Sequence, residues 1–457
     1  VNVPAEIFRT YDIRGIVGRT LTPAIVRAIG RALGSIARER GAPTFAVGRD
    51  GRLSGPEFAD ALMEGMLASG ASAIDIGMAP TPVTYFAAHH LGCGSCVSIT
   101  GSHNPPDYNG LKVVIGGDTL YGDDIQLVRK IIEGENFSTG KGKRSAANVL
   151  DAYVERVASD AKLARPMRIA IDCGNGVAGM IAPALYRRLG CEVEELYCEV
   201  DGRFPNHHPD PSVPKNLAEL IEKVRTGKSE LGIAFDGDGD RLGLVTKDGE
   251  IIFADRQLML LAKDVLSRNP GAQIIYDVKS TRLLAPWIER HGGRPLIWKT
   301  GHSLIKAKLK ETGALLAGEM SGHTFFKERW YGFDDALYSG ARLLEVLSKD
   351  SDPSKVLKSL PNAPSTPELQ WALEEGEPHA LVAKLQDARP FSGAERVITI
   401  DGVRAEYADG FGLARASNTT PVIVLRFEAD SASALERIKK EFRNALQPLK
   451  PDAPLPF

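Results

Sequence analysis

Short apolar runs that end in polar, glycine-bearing loops recur along most of this chain, and that alternation limits the fold more than any other feature. Residues 44–47 run into GRD, 73–76 into Gly77 and 96–99 into TGSHNPPDYNG, which is followed by a further strand-like run at 111–115. The pattern returns at 167–172 before CGNGVAG, at 231–235 before DGDGDR, at 273–276 before DVKST, at 296–298 before KTGHS and at 315–317 before GEMSGH. Runs this short and this apolar, separated by helices, predict buried and mainly parallel sheet. Thr22 can cap and Pro23 can start one such helix, whose Ile25, Ile29, Leu33 and Ile36 share a face. Polar residues thus gather just past the carboxyl ends of strands, where open α/β sheets hold their ligands.

A chain of 457 residues is too long for one compact core, so several domains are expected. The successive α/β units are compatible with a distant duplication. Residues 348–367, rich in Ser, Pro, Asp and Lys, read as a linker. Beyond it, strand-like runs at 397–400, 405–407 and 422–427 and an amphipathic helix through Leu435, Ile438, Phe442 and Leu446 predict a small α+β domain.

The hydrophobic fraction of 43% and charged fraction of 25% are those of a folded soluble protein. A net charge of -2 gives no electrostatic reason to expect nucleic acid or an anionic membrane as partner. No apolar run approaches the roughly 18 residues of a membrane helix, and no signal-peptide pattern opens the chain. The cytoplasm is the expected location, and five cysteines fit reduced thiols there.

Asp236, Asp238 and Asp240 alternate with glycines directly after an apolar run. Carboxylates this close repel one another unless a cation sits among them, and glycine lets the backbone aim them at one point. All-oxygen ligands suit a hard ion such as Mg²⁺. A solvated acidic turn is the plainer alternative. A calcium loop of the EF-hand type fails, because its glycine and glutamate positions hold Arg241 and Lys247. A phosphatase with an aspartyl nucleophile stays open, but leaves Ser102 without a role.

Ser102 sits in a loop with His103, Asn104, Asn109 and Lys112. A serine hydroxyl needs a base or metal to act as a nucleophile, and phosphoryl transfer needs cations, which His103 and Lys112 could supply. Taken alone, the same loop is ordinary turn chemistry. Glu319, Ser321 and His323 form a polar cluster suited to hydroxyl groups, or a capped turn. Arg415, Ser417, Asn418 and Thr419 combine a guanidinium fork with small donors, as a phosphate clamp would, or flank a hairpin.

Three further patterns point elsewhere. Gly174, Gly176 and Gly179 spell GxGxxG, with Glu194 and Glu195 about twenty residues on, as in dinucleotide sites; the same glycines serve a tight strand-to-helix turn. Cys93 and Cys96 form CxxC beside His89 and His90, but no second ligand pair matches, which favours buried thiols. Residues 134–142 miss the nucleotide P-loop spacing, and Gly142 stands where Ser or Thr is required.

Taken together, FRTYDIRGIVG, TGSHNPPDYNGLKV, FPNHHPDP, DGDGDR, GEMSGH and RASNTTP, in that order over nearly the whole chain, resemble the α-D-phosphohexomutase family and its bacterial phosphomannomutase/phosphoglucomutase branch. The resemblance implies three related α/β domains and a smaller C-terminal α+β domain in a heart shape around a central cleft, here 1–147, 148–250, 251–362 and 363–457. It implies a phosphorylated Ser102 that holds Mg²⁺ together with Asp236, Asp238 and Asp240. Arg14, His103, Lys112, Arg241, Lys279 and His302 would then surround the phosphoryl group or assist proton transfer. Tyr11, Glu319, Ser321 and His323 would contact the sugar phosphate, and Arg415, Ser417, Asn418 and Thr419 the phosphate not being transferred. The implied reaction interconverts hexose 1- and 6-phosphates, with glucose 1,6-bisphosphate as activator and a monomer as the working form. GEMSGH matches the mannose/glucose branch rather than GEQSGH of the glucosamine branch; a phosphoglucosamine mutase and a metal-dependent sugar phosphatase are the alternatives.

Overall fold

A computed structural model describes residues 2–418 and 420–457. Its first long helix, Pro23–Glu39, starts where the Thr22 hydroxyl accepts a hydrogen bond from the Ile25 amide. That helix lies against Gly55–Ser69 so closely that a Cβ on Gly65 would stand 2.1 Å from the Arg27 carbonyl oxygen. Small residues at the crossing let both helices cover one face of the first sheet.

The described strands form four sheets. In the second, the spatial order is Leu242–Thr246, Leu231–Phe235, Arg168–Asp172, Glu192–Leu196; in the third it is Thr324–Phe326, Leu316–Gly318, Gln273–Asp277, Arg294–Trp298. Taken in chain order within each sheet, both run fourth, third, first, second. The first three strands are parallel and the fourth is antiparallel to the third. The first sheet contains the same unit as Tyr108–Ile115, Ser95–Ile99, Thr44–Arg49, Ser72–Met78, widened by Ile13–Ile16 at one edge and Arg144–Ala146 at the other. Mainly parallel sheet is therefore present, with an antiparallel strand in each unit that the apolar runs did not disclose in the second and third. The turn from third to fourth strand falls at residues 100–107, 236–241 and 319–323. Every unit thus delivers one loop from an equivalent position.

The last sheet is antiparallel throughout: Leu369–Ala372, Val422–Ala429, Gly410–Ala416, Val403–Tyr407, Arg396–Ile398. One face packs on the helices Glu377–Ala388 and Ala432–Leu446 through Phe427 and Phe442. The other places Phe411 and Leu413 on Val278 of the third unit. There Arg404 donates to the carbonyls of Val278 and Ser280 at 2.8 and 2.6 Å.

The stretch 348–367 is less of a linker than its composition suggests. Pro353–Lys358 is a helix, started by the Asp352 carboxylate accepting from the Lys355 amide at 3.1 Å, and it buries Leu357. A cap followed by proline is a helix start that a composition reading overlooks.

One apolar core reaches all three of the first units, running from Ala46 and Phe86 through Ile169 and Ile233 to Ile274 and Leu344; the first unit has a second core on its other face, around Ile29, Phe58 and Val97, and the C-terminal sheet has its own. Within the larger core Asp335 caps the helix Ala336–Leu347 and accepts the Tyr153 hydroxyl on both oxygens at 2.8 Å. Burial outweighs these bonds and pushes its carboxyl up from 3.8 to about 7. The unfolded chain therefore releases this proton first, and stability falls as pH rises from about 4 to about 7. Asp335→Asn keeps the cap and removes the titration, so urea melts across that range should show the variant gaining on the wild-type protein as pH rises.

Candidate active site

The three equivalent loops converge on the acidic one. Asp236, Asp238 and Asp240 are fully buried, with ligand atoms all within 4.8 Å of one another. The turn is tight: Gly239 has a φ of 79°, and a Cβ on Gly237 would stand 2.3 Å from the Ser102 carbonyl oxygen. Asp236 Oδ1 accepts the amides of Gly239, Asp240 and Arg241, each at 3.1 Å, which folds the loop around its first carboxylate. Asp238 Oδ1 is buried without a hydrogen-bond partner, and Asp240 Oδ1 faces His323 Nε2 at 3.3 Å.

Buried carboxylates in one place need positive charge from elsewhere. Lys112, from the first sheet, places Nζ 2.8 Å from Asp238 and bonds Asp240 as well. Burial opposes the lysine's charge, but Asp238 and Asp240 overcome it and hold its pKa above the ordinary lysine value. Asp240 is driven well below the usual carboxylate range, against burial, by Lys112 and His323. Asp236 is instead pushed well above it, by burial and then by Asp238 and Asp240. One carboxylate of three is left short of compensation, and an unpartnered oxygen of Asp238 lies beside it. Those observations fit a hard divalent cation held by this donor set.

Ser102 Oγ lies 3.2 Å from Asp236 Oδ2 and 3.2 Å from His103 Nδ1. Its backbone is left-handed, with a φ of 51°, a conformation that costs a non-glycine residue about 1–3 kcal/mol. His103 does not supply the positive charge expected of it. Burial, then Arg241, Arg14 and Lys112, pushes its pKa well below the ordinary histidine value, so the ring is neutral. Arg14 bonds Asp12 and Asn104 at the loop's edge.

From the third unit, Glu319 accepts the Gly301 amide at 2.5 Å and His323 Nδ1 at 2.9 Å. Burial works against a charged His323, but Asp240 and Glu319 outweigh it and hold its pKa at about 9. Ser321 Oγ is 3.2 Å from the same ring nitrogen. His302 differs: burial, then Lys306 and Lys112, drives its pKa well down, and its buried Nε2 has no hydrogen-bond partner. Lys279 Nζ bonds Glu368 at 2.6 Å.

The far side of the site comes from the last sheet. Arg415 Nε bonds Asp401 at 3.0 Å, and its buried Nη2 is without a hydrogen-bond partner. Asn418 donates to the Tyr11 hydroxyl at 3.0 Å, and Ser417 Oγ accepts from the Thr420 hydroxyl at 3.1 Å. Thr419 lies outside the described residues. One cavity of about 820 Å³ is lined by Ser102, Lys112 and Arg241, by Glu319, and by Arg415 and Ser417 of the last sheet.

The GxGxxG segment serves packing. A Cβ on Gly179 would stand 2.0 Å from the Cys198 carbonyl oxygen, and one on Gly176 would stand 2.9 Å from that of Gly237. Glu195 is engaged by Arg187 at the surface. Cys96 is buried in the large core, where burial raises its thiol pKa. The residue types alone left several supporting residues unnoticed. Thr81 clasps Asp238 through its hydroxyl at 2.6 Å and its amide at 2.9 Å, Asp401 orients Arg415, and Asp50 and Arg52 hold the Ser102 loop. The GRD at the end of the first apolar run was the only visible trace of that last pair.

Comparison with known proteins follows the same division. Residues 5–139, 150–249 and 254–363 match the family models described as phosphoglucomutase/phosphomannomutase, alpha/beta/alpha domains I, II and III, and residues 368–445 match its C-terminal domain. The phosphomannomutase/phosphoglucomutase of Pseudomonas aeruginosa is 56% identical over 456 residues, 100% of this chain and 98% of that protein. A phosphoglucomutase of Neisseria meningitidis is 57% identical over 449 residues, 98% of each. A crystal structure of a phosphoglucomutase/phosphomannomutase family protein from Burkholderia thailandensis superposes with a TM-score of 0.95 at 58% identity, covering 100% of both chains. With four domain matches in order and relatives this similar over their full length, the chain belongs to the phosphoglucomutase/phosphomannomutase family of α-D-phosphohexomutases.

Proposed function

We propose that this phosphohexomutase interconverts the 1- and 6-phosphates of glucose and mannose by way of phosphorylated Ser102. The observation that carries the reading is one cavity with two anion sites. Ser102 Oγ stands beside Asp236 at one, and Arg415 keeps a spare, buried donor at the other. A phosphatase needs one phosphate site, whereas a mutase must hold a second phosphate while the first moves.

In the forward step the sugar hydroxyl oxygen forms a bond to phosphorus as the Ser102 Oγ–P bond breaks, and the hydroxyl proton passes to a base. His302 is assigned as that base, because its ring is neutral and its buried Nε2 is without a hydrogen-bond partner. Lys112 and Arg241 face the transferring group, while Arg14 and Lys279 edge the same cavity. Mg²⁺ held by Asp236, Asp238 and Asp240 would offset charge on the moving phosphoryl group. Glu319, Ser321 and charged His323 would grip sugar hydroxyls, and Tyr11, Arg415, Ser417, Asn418 and Thr419 are assigned to binding the sugar phosphate. The hexose bisphosphate then turns end for end, and its other phosphate returns to Ser102. Glucose 1,6-bisphosphate is accordingly the expected activator.

The four units are taken as 1–147, 148–250, 251–362 and 363–457, a division supported by one sheet in each. The working form is taken as a monomer. Among the described residues no helix is long and apolar enough to cross a membrane.

Ser102→Ala should lower conversion of glucose 1-phosphate by about 10⁴-fold or more, followed by phosphorus NMR; retained turnover, or release of inorganic phosphate at the rate substrate disappears, would sink the reading. Mg²⁺ at about 100 times its Kd should stabilise the wild-type protein by about 2.7 kcal/mol in thermal melts, and Asp238→Asn should erase that gain. Arg415→Ala should raise KM for the sugar phosphate about 10- to 100-fold with a smaller change in kcat; equal losses in both would count against a clamp.

A further inference from the structure

The left-handed backbone at Ser102 needs a restraint, because no side chain is settled there by its own preference. The restraint is a buried guanidinium. Arg52 follows the strand Thr44–Arg49 and is 1% exposed. Its Nη2 donates to the carbonyls of Ser102 at 2.9 Å and Asn104 at 2.7 Å; its Nη1 donates to those of Pro105 at 2.5 Å and Tyr108 at 2.9 Å. Nε bonds Asp50 Oδ2 at 3.1 Å. All five N–H donors of the fork are used, four of them on the backbone of one loop.

Asp50 completes the arrangement from the other side. Its Oδ2 accepts the Thr100 hydroxyl at 2.8 Å and the Gly101 amide at 3.3 Å, and the Thr100 oxygen in turn accepts the Ser102 amide at 2.8 Å. Both peptide groups of Ser102 are therefore fixed by one ion pair. Gly101 lets the guanidinium come this close, since a Cβ there would stand 2.4 Å from its central carbon. The second unit seals the contact, with the Phe204 ring 5.1 Å from that carbon.

The third unit shows that this is not a generic feature of the fold. There the equivalent aspartate, Asp277, likewise accepts an amide of the third-strand loop, that of Met320, at 3.1 Å. Two residues on, however, stands Lys279, whose Nζ reaches Glu368 at the cavity instead of the loop backbone. Of these two units, only the first turns the cation at this position onto its third-strand loop, the loop that carries the nucleophile.

We infer that Arg52, oriented by Asp50, is a positioning residue for phosphoryl transfer: it acts through the backbone of residues 100–108 to keep Ser102 Oγ beside Asp236 and His103. The inference rests on the assignment of Ser102 as the phosphoryl carrier. Arg52 lies outside the cavity, so its removal moves the reacting oxygen without removing a substrate contact. A shift of about 1 Å at the nucleophile costs about 100-fold in rate. Lysine cannot replace it, because a point charge with three donors does not span four carbonyls.

The test measures phosphorylation of Ser102 by glucose 1,6-bisphosphate in single-turnover mass spectrometry, together with steady-state kcat and KM. Arg52→Ala is expected to lose about 100-fold in phosphorylation rate and kcat with KM within about threefold. Arg52→Lys should be no better, and added guanidinium ion should restore part of the rate to the alanine variant. A folded Arg52→Ala that phosphorylates within about threefold of wild type, or a loss that guanidinium leaves untouched, overturns the inference. Should Arg52→Ala fail to fold, Gly101→Ala displaces the guanidinium while keeping it, and unchanged kcat in that variant is equally fatal. If the wild-type protein carries phosphate but never on Ser102, the carrier assignment fails instead, and peptide mapping separates that outcome from the others.

Discussion

Negative charge buried at one point is the constraint around which this molecule is arranged. Three carboxylates on a single tight turn cannot neutralise one another, and Arg241 of the same turn comes only within 4.0 Å of one of them, Asp236. The lysine that answers them comes from the first unit and the charged histidine from the third. Because burial multiplies the cost of an unpaired charge, the three units cannot drift apart without exposing that deficit. The same deficit holds the Asp236 pKa well above the usual carboxylate range, which makes the turn receptive to a divalent ion, with Ser102 at its edge.

Repetition explains how such a turn comes to be surrounded. Each of the first three sheets sends its strand-three-to-strand-four connection to the same end, and each loop has taken a different role. One carries Ser102 and His103, one carries the carboxylates, and one carries a glutamate, a serine and a histidine. The backbone bridge between Arg241 and His323 and the Thr81 clasp on Asp238 join neighbouring loops directly. The fourth sheet lacks this plan and contributes a cation at a distance, which suits a partner that has to accept either end of a turning substrate.

Much of this was legible in the residues. The run 231–235 coincides with its strand, and the alternation of aspartate with glycine announced both the turn and its cluster of buried carboxylates. What stayed hidden depends on distance or on backbone. Lys112 meets Asp238 across a sequence separation of 126, and nothing local marks the pair. Arg52 bonds carbonyl groups, which every residue has, so its partners leave no signature in residue type. Charge on histidine is equally invisible: His103 and His302 are neutral and His323 is charged, and only burial and neighbours decide between them. Strands were missed where their residues look like surface, as in Glu192–Leu196, whose burial is only partial.

The shared apolar core has a consequence for how the chain comes apart. Because Phe86, Ile233 and Leu344 belong to one packed body whereas Phe427 and Phe442 belong to another, the C-terminal sheet can separate without breaking into the core that the first three units share. That sheet is tied on by Arg404 and by Phe411 and Leu413 against Val278. Its release would open one wall of the cavity while the acidic turn and its lysine stay intact, which would separate the hold on the substrate from the reactive centre.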